Sequence, residues 1–244
     1  LSISFPYLSG LKTTVLDLLF PYRCVGCGVE GQTLCPGCLS NQRRPSQPLC
    51  QSCGEEIRAA GYCKNCENQP QAFDSVRSSF VYQDAIREAI IQFKYKGITN
   101  LAPVLGREMA LTLAQWGVKS DLLIPVPLHH KRFKERGYNQ AALLAKAVAR
   151  ESGIGLDDTS LVKHIATPQQ AKTKSREDRR RQVEHAFICA DPSKVINTHI
   201  VLVDDVCTTG ATLNACAKVL KDAGARTVWG LTVARDLSEI LSNS

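Results

Sequence analysis

The 244-residue chain has no uninterrupted apolar run approaching the ~20 residues needed to cross a bilayer, so no membrane span is expected. The most apolar early stretch, Leu11 to Phe20, is broken by Lys12 and Asp17, and no small-residue cleavage site follows it. It reads as a short docking helix within residues 1–22 rather than as a signal peptide. Aromatic residues are scarce, at 6% of the chain, and none is interleaved with the densest basic run, Lys172, Lys174, Arg176, Arg179, Arg180 and Arg181. That counts against the run as a base-stacking path for a single-stranded nucleic acid. His129 and His130 have no further histidine or carboxylate at ligand spacing, so they read as loop residues rather than a metal site. Cys207 has no base near it in sequence and is not expected to be a nucleophile.

Cysteine is what the chain has in quantity. Of its eleven cysteines, eight fall into four Cys-x-x-Cys pairs: Cys24 with Cys27, Cys35 with Cys38, Cys50 with Cys53, and Cys63 with Cys66. Each pair bends the backbone so that two thiolates point at one centre, and two pairs complete a tetrahedral four-sulfur site. Eight ligands therefore imply two structural zinc ions, in a ribbon over residues 23–70 too small to fold on its own core. Spacing does not fix which pairs combine; a sequential arrangement is preferred because short loops cost less to close. Cysteines grouped in this way point to metal binding in a reducing, cytoplasmic setting rather than to secreted disulfides. The net charge of +7 favours anionic partners, and a sugar phosphate or a single-stranded nucleic acid would each be served.

The larger region, 71–244, is organised around one stretch. Ile200-Val201-Leu202-Val203 is apolar without alternation, as a strand buried on both faces of a parallel sheet would be. It is expected to end at the carboxylates Asp204 and Asp205. Val206, Cys207, Thr208, Thr209, Gly210, Ala211 and Thr212 follow, where hydroxyls and a permissive glycine let backbone N–H groups converge on an anion as a helix begins. That helix carries Leu213, Cys216, Ala217 and Leu220 at core-facing spacing. The threonines and amides suit a phosphate. The two acids suit neighbouring hydroxyls, directly or through a divalent ion. A ribose 5-phosphate has that shape, and the run resembles the phosphoribosyl-pyrophosphate (PRPP) signature of type I phosphoribosyltransferases.

A second anion site is expected where Leu122 to Ile124, a short apolar strand, runs into Pro125-Val126-Pro127-Leu128-His129-His130. Lys131, Arg132, Lys134 and Arg136 follow; Arg132 and Arg136 share one helical face. Before it, Val76 to Tyr82 reads as a strand, Asp84 as the cap of a helix burying Ile86, Ala89, Ile90 and Phe93 and ending at Lys94, Lys96 and Gly97, and Leu101 to Trp116 as a second helix. Thr227 to Val233 reads as a last strand.

With Pro125-Val126-Pro127, Arg132 and Arg136-Gly137-Tyr138-Asn139-Gln140 added, nearly the whole chain resembles the ComF family. The resemblance implies an α/β fold, a type I phosphoribosyltransferase-like parallel sheet with flanking helices, preceded by a small cysteine-rich double zinc-ribbon domain. It implies PRPP bound with Mg²⁺, held by Asp204, Asp205 and the 206–212 loop, with Pro127, Leu128, Arg132 and Arg136 at the pyrophosphate. It implies phosphoribosyl transfer to an acceptor not identifiable from sequence. The polar stretch from Leu161 to Phe187 is expected to be a lid in which Thr167, Gln170 and Arg179 match the family pattern. Lys163, Ile165, Gln182 and His185 depart from that pattern. The rival implication is a non-catalytic module that binds single-stranded DNA or a protein of the competence machinery.

Overall fold

The computed structural model describes residues 22–164 and 186–237. The expected docking helix, apart from Tyr22, and Thr167, Gln170, Arg179 and the basic run of the expected lid lie outside those residues.

The cysteine-rich region is a repeat of one small design. In its first half Cys35 caps the helix α1 (Pro36–Ser40), which carries Cys38; in its second Cys63 precedes α2 (Lys64–Asn68), which carries Cys66. The third sulfur of each set thus opens a one-turn helix that delivers the fourth. The remaining elements are β1 (Ser75–Val81), α3 (Asp84–Tyr95), α4 (Leu101–Trp116), β2 (Leu122–Pro125), α5 (His130–Arg136), α6 (Gln140–Ser152) and β3 (Gly155–Leu156). They continue with β4 (Leu161–Lys163), β5 (Phe187–Cys189), β6 (His199–Cys207), α7 (Ala211–Asp222) and β7 (Thr227–Arg235).

Five strands form one parallel sheet in the order β1-β7-β6-β2-β3, and β4 pairs antiparallel with β5 apart from it. Ile200, Val201, Leu202 and Val203 are fully buried in β6, the central strand, because helices cover both faces. Ile200 and Leu202 pack with Leu213, Cys216 and Leu220 of α7. Val201 and Val203 share a core with Ile86 of α3, Leu105 of α4 and Leu144 of α6. At Gly106 the helices α4 and α6 meet so closely that a Cβ there would lie 2.3 Å from that of Ala147.

Two local expectations are corrected. β6 does not stop at the acids: it continues through Cys207, because the long β7 supplies partners as far as Cys207 opposite Arg235. Asp84 is not the helix cap. Gln83 takes that place, and Asp84 is the first helical residue, at a φ of 47° that a short polar side chain tolerates.

The ribbon closes the sheet at its β1 edge. Val76 N–H donates to the Ser52 carbonyl at 2.7 Å and Val81 N–H to the Arg43 carbonyl at 2.8 Å, so outward donors of an edge strand are satisfied. Cys50, Cys53, Cys63 and Cys66 are buried in the same core as Phe73 and Val76.

Candidate functional site

In an open parallel sheet, ligands bind beyond the carboxyl ends of the strands, where successive connections leave in opposite directions. Here that place lies between β2 and β6. From β2 the chain runs outward through α6 to β3, and from β6 it runs the other way through α7 to β7. The loop after β2 and the turn after β6 are the two stretches singled out in the sequence.

After β6, Thr208 and Thr209 are exposed and Gly210 is buried, with a φ of 79°. Gly210 serves as N-cap of α7 without a capping side chain, and Thr209 Oγ1 accepts from Ala211 N–H at 3.4 Å. The amides that open this twelve-residue helix form a positive end next to two hydroxyls. The Cys207 sulfur is buried and accepts from Arg235 Nη1 at 2.9 Å.

Asp204 and Asp205 are consecutive on an extended strand, so their side chains take opposite faces. Asp205 Oδ1 pairs with Lys94 Nζ of α3 at 2.6 Å. Burial opposes the Lys94 charge, but Asp205 and Asp204 outweigh it and raise the ammonium above the ordinary lysine value. Asp204 accepts the Asp205 N–H at 2.8 Å and meets the electrostatic influence of Lys163 on β4. Among the described residues no cation comes within ion-pair distance of it. Burial and the Asp205 charge push its carboxyl up to about 7, Lys94 and Lys163 resisting. The Asp204 carboxylate, on the face away from the Lys94 pair, offers oxygen donors of the kind a hard divalent cation such as Mg²⁺ takes.

After β2, Val126 N–H still bonds to the Val203 carbonyl at 2.9 Å, and Pro127 and Leu128 turn away from the sheet. Asn139 fixes the loop: its Nδ2 donates to the Val126 carbonyl at 3.1 Å while its Oδ1 caps α6 by accepting from Ala141 N–H at 3.1 Å. His129, expected as a plain loop residue, caps α5 through Nδ1, which accepts from Lys131 N–H at 3.2 Å. Arg132 and Arg136 lie one turn apart on α5. Arg132 adds to the positive charge felt by Lys163, whereas Arg136 lies over the Tyr95 ring at 5.3 Å. A groove of about 380 Å³ runs between this loop and β4, lined by Pro127, Leu128, Phe133, Asn139, Val162 and Lys163.

In the sequence Lys94 reads as a helix end and Lys163 as a mismatch to the family pattern. The fold brings both to the acid pair. Asn139 is legible, since an Asn directly before a helical Gln-Ala-Ala run is a cap signal. Arg235 carries no local signal.

The eight paired cysteines form two sets, Cys24, Cys27, Cys35 and Cys38, and Cys50, Cys53, Cys63 and Cys66, with the four sulfurs of each within 4.8 Å of one another. The sequential pairing is therefore the one present. Four thiols that close fit a metal, since they cannot all ionise without one. The sulfurs of Cys27 and Cys35 push Cys38 up to about 12, whereas backbone amides overcome burial and bring Cys24 down to about 6. The second set is wholly buried, whereas Cys27 of the first is exposed.

Comparison with known proteins agrees with both halves of the molecule. Residues 15–67 match the double zinc ribbon domain and residues 139–241 the phosphoribosyl transferase domain. The chain is 32% identical over 228 residues to Competence protein F of Haemophilus influenzae, covering 88% of this chain and 98% of that one. It is 28% identical over 212 residues to Competence protein ComFC of Bacillus subtilis, covering 84% and 85%. It is 30% identical over 210 residues to the DNA utilization protein YhgH of Escherichia coli O157:H7, covering 84% and 91%. Among the described residues no helix is long and apolar enough to cross a membrane.

Proposed function

The chain belongs to the ComF family, and on that footing we propose that it binds PRPP, or another ribose 5-phosphate, in the crevice between β2 and β6. We further propose that it transfers the phosphoribosyl group to an acceptor with release of pyrophosphate. The observation that carries this reading is the convergence of three features at one switch point: the Thr208–Gly210 turn, the acid pair, and the loop leading to Arg132.

On this reading the α7 amides and the Thr208, Thr209 and Thr212 hydroxyls hold the 5-phosphate. Asp204 accepts from a ribose hydroxyl, and Asp205 stays engaged with the Lys94 ammonium. Asp204 would supply an oxygen donor for Mg²⁺, which when bound would share the charge of the pyrophosphate. As the C1–O bond to pyrophosphate breaks, negative charge grows on the leaving group beside the Pro127–Leu128 amide and Arg132, and an electron pair from the acceptor forms the new bond at C1. Lys163 stands near Asp204 and balances the carboxylate. The groove between Leu128 and Lys163 gives an acceptor room next to these groups.

The test is calorimetry of PRPP and of pyrophosphate with and without Mg²⁺, followed by a screen for pyrophosphate release against candidate amines and bases. Mg²⁺-dependent PRPP binding that disappears in Asp204→Asn/Asp205→Asn supports the assignment. Binding unchanged by that double substitution refutes it.

A second reading draws support from α5, with the names of the relatives behind it. Tyr95 is 65% exposed beneath Arg136, and Phe133 is 49% exposed between Lys131 and Lys134. Cations interleaved with open aromatic faces suit a single-stranded nucleic acid, and the two modes of binding are compatible.

A further inference from the structure

The two metal centres are not equivalent, and what differs is their relation to the Thr208–Gly210 turn. Arg235 ends β7 and is buried, at 5% exposure. One nitrogen, Nη1, donates to the Cys53 carbonyl at 3.0 Å and to the Cys207 sulfur at 2.9 Å. The other terminal nitrogen lies 3.7 Å from the Cys53 sulfur and 3.7 Å from a Glu55 carboxylate oxygen. Nε is buried without a partner. One guanidinium thus joins a sulfur ligand of the second centre to the residue immediately before the turn.

Two more contacts point the same way. Cys207 Sγ lies 3.9 Å from where a Cβ on Gly210 would stand, and the Phe73 ring closes the same space at 3.6 Å. Asp236 N–H donates to the Cys207 carbonyl at 3.0 Å, so the backbone beside the sulfur is also held by the chain leaving β7. A buried guanidinium with one carboxylate at 3.7 Å is poorly compensated on its own. The Cys53 sulfur at 3.7 Å, as a thiolate of a metal-loaded centre, would supply part of the missing negative charge. At the first centre Arg23 plays no such part: it pairs outward with Glu30 at 2.6 Å, both exposed.

We propose that Arg235 is a positioning residue: it ties the Thr208–Gly210 turn, through Cys207, to the second four-cysteine centre, so that the order of the turn depends on that centre. The ribbon thereby acts as the floor of the phosphate turn. The functional consequence rests on the ligand assignment above, but the mechanical coupling does not, and the two can fail separately.

The experiment is hydrogen exchange, residue by residue, on the full-length zinc-loaded protein without ligand, comparing wild type with Arg235→Met, Arg235→Lys and Cys207→Ala. Exchange of the 207–212 amides should rise about tenfold in Arg235→Met, as expected for losing hydrogen bonds to a charged donor. Zinc should remain at two per chain and β2 exchange should not change. Cys207→Ala, which leaves the arginine and the metal ligands in place, should show the same local rise. Arg235→Lys, keeping the charge with fewer donors, should fall between. Unchanged exchange at 207–212 in Arg235→Met or in Cys207→Ala overturns the proposal, as does a rise spread evenly over the sheet in Cys207→Ala. PRPP titration of the same proteins separates the two claims. A wild type that does not bind PRPP sinks the ligand assignment, while the exchange data still decide the coupling.

Discussion

Lys94 of α3 and Asp205 of β6 meet at 2.6 Å, the lysine side chain 24% exposed and the aspartate 11%. The pair spans the helix layer and the central strand one residue from Asp204. Without the ammonium, two neighbouring carboxylates would share a poorly hydrated strand end with no cation paired to Asp205.

Lys94→Met should therefore destabilise the protein by about 3 kcal/mol, the scale for orphaning one member of a largely buried pair. Urea denaturation at pH 7.5 reads this as a lower midpoint with an unchanged slope. Lys94→Met/Asp205→Asn should recover more than half of the loss, because the orphaned charge is removed with its partner. Additive losses in the double variant would show that the lysine acts through packing alone.

The raised carboxyl of Asp204 makes ligand binding and stability move in opposite directions with pH. Its folded pKa, about 7, lies above the ordinary aspartate value of 3.8. The native state thus holds a proton that the unfolded chain gives up. The stabilisation is complete below the unfolded value and is lost as pH rises from there through the folded value. Only the ionised form can serve Mg²⁺, so Mg²⁺-dependent PRPP affinity should climb by up to about tenfold per pH unit below 7 and level off above it. Asp204→Asn should flatten both curves. Calorimetry between pH 5.5 and 8.5 measures the first and urea midpoints the second.

The sequence made the ribbon and the central strand legible for a physical reason: both depend on local spacing. Two thiols three residues apart must converge, and an apolar run without alternation must be covered on both faces. Thr208 to Thr212 and Pro125 to Arg136 are equally local, and the fold sets them on either side of one switch point. What was hidden are side chains whose partners lie far along the chain. Arg235 reaches Cys53 across 182 positions, and Lys94 finds Asp205 across more than a hundred. The full reach of β6 was hidden too, because its last residues are held in the ladder by the length of β7 rather than by their own propensity.

The unequal burial of the two centres should appear as unequal rates of metal loss. Cys27 is exposed and Cys35 and Cys38 partly so, whereas all four sulfurs of the second set are buried. Chelator challenge with colorimetric detection should release one zinc per chain in a fast phase and the second at least about tenfold more slowly, because access to the ligands requires local opening. Cys27→Ser should remove the fast phase and leave the protein folded. Cys53→Ser should lower thermal stability by several degrees, as it disturbs the core under β1. A single phase of two equivalents would contradict this ordering.

The basic helix α5 carries two arginines whose surroundings predict different losses. Arg132 lies close enough to Lys163 to act on its charge, whereas Arg136 sits over the exposed Tyr95 ring. Arg132→Gln should weaken PRPP and pyrophosphate binding by about tenfold or more, the scale of a charge-assisted hydrogen bond to phosphate. Tyr95→Ala should leave PRPP binding alone and weaken single-stranded DNA binding by about 1–3 kcal/mol, the worth of one stacked base, without changing the salt slope. Arg136→Gln should instead lower the slope of log K against log salt by about 0.7, one phosphate contact on a single strand. Fluorescence anisotropy on a short oligonucleotide at several salt concentrations distinguishes these outcomes. Affinity insensitive to both Tyr95→Ala and Arg136→Gln would remove this face of the molecule from any DNA path and leave the crevice as the sole supported ligand site.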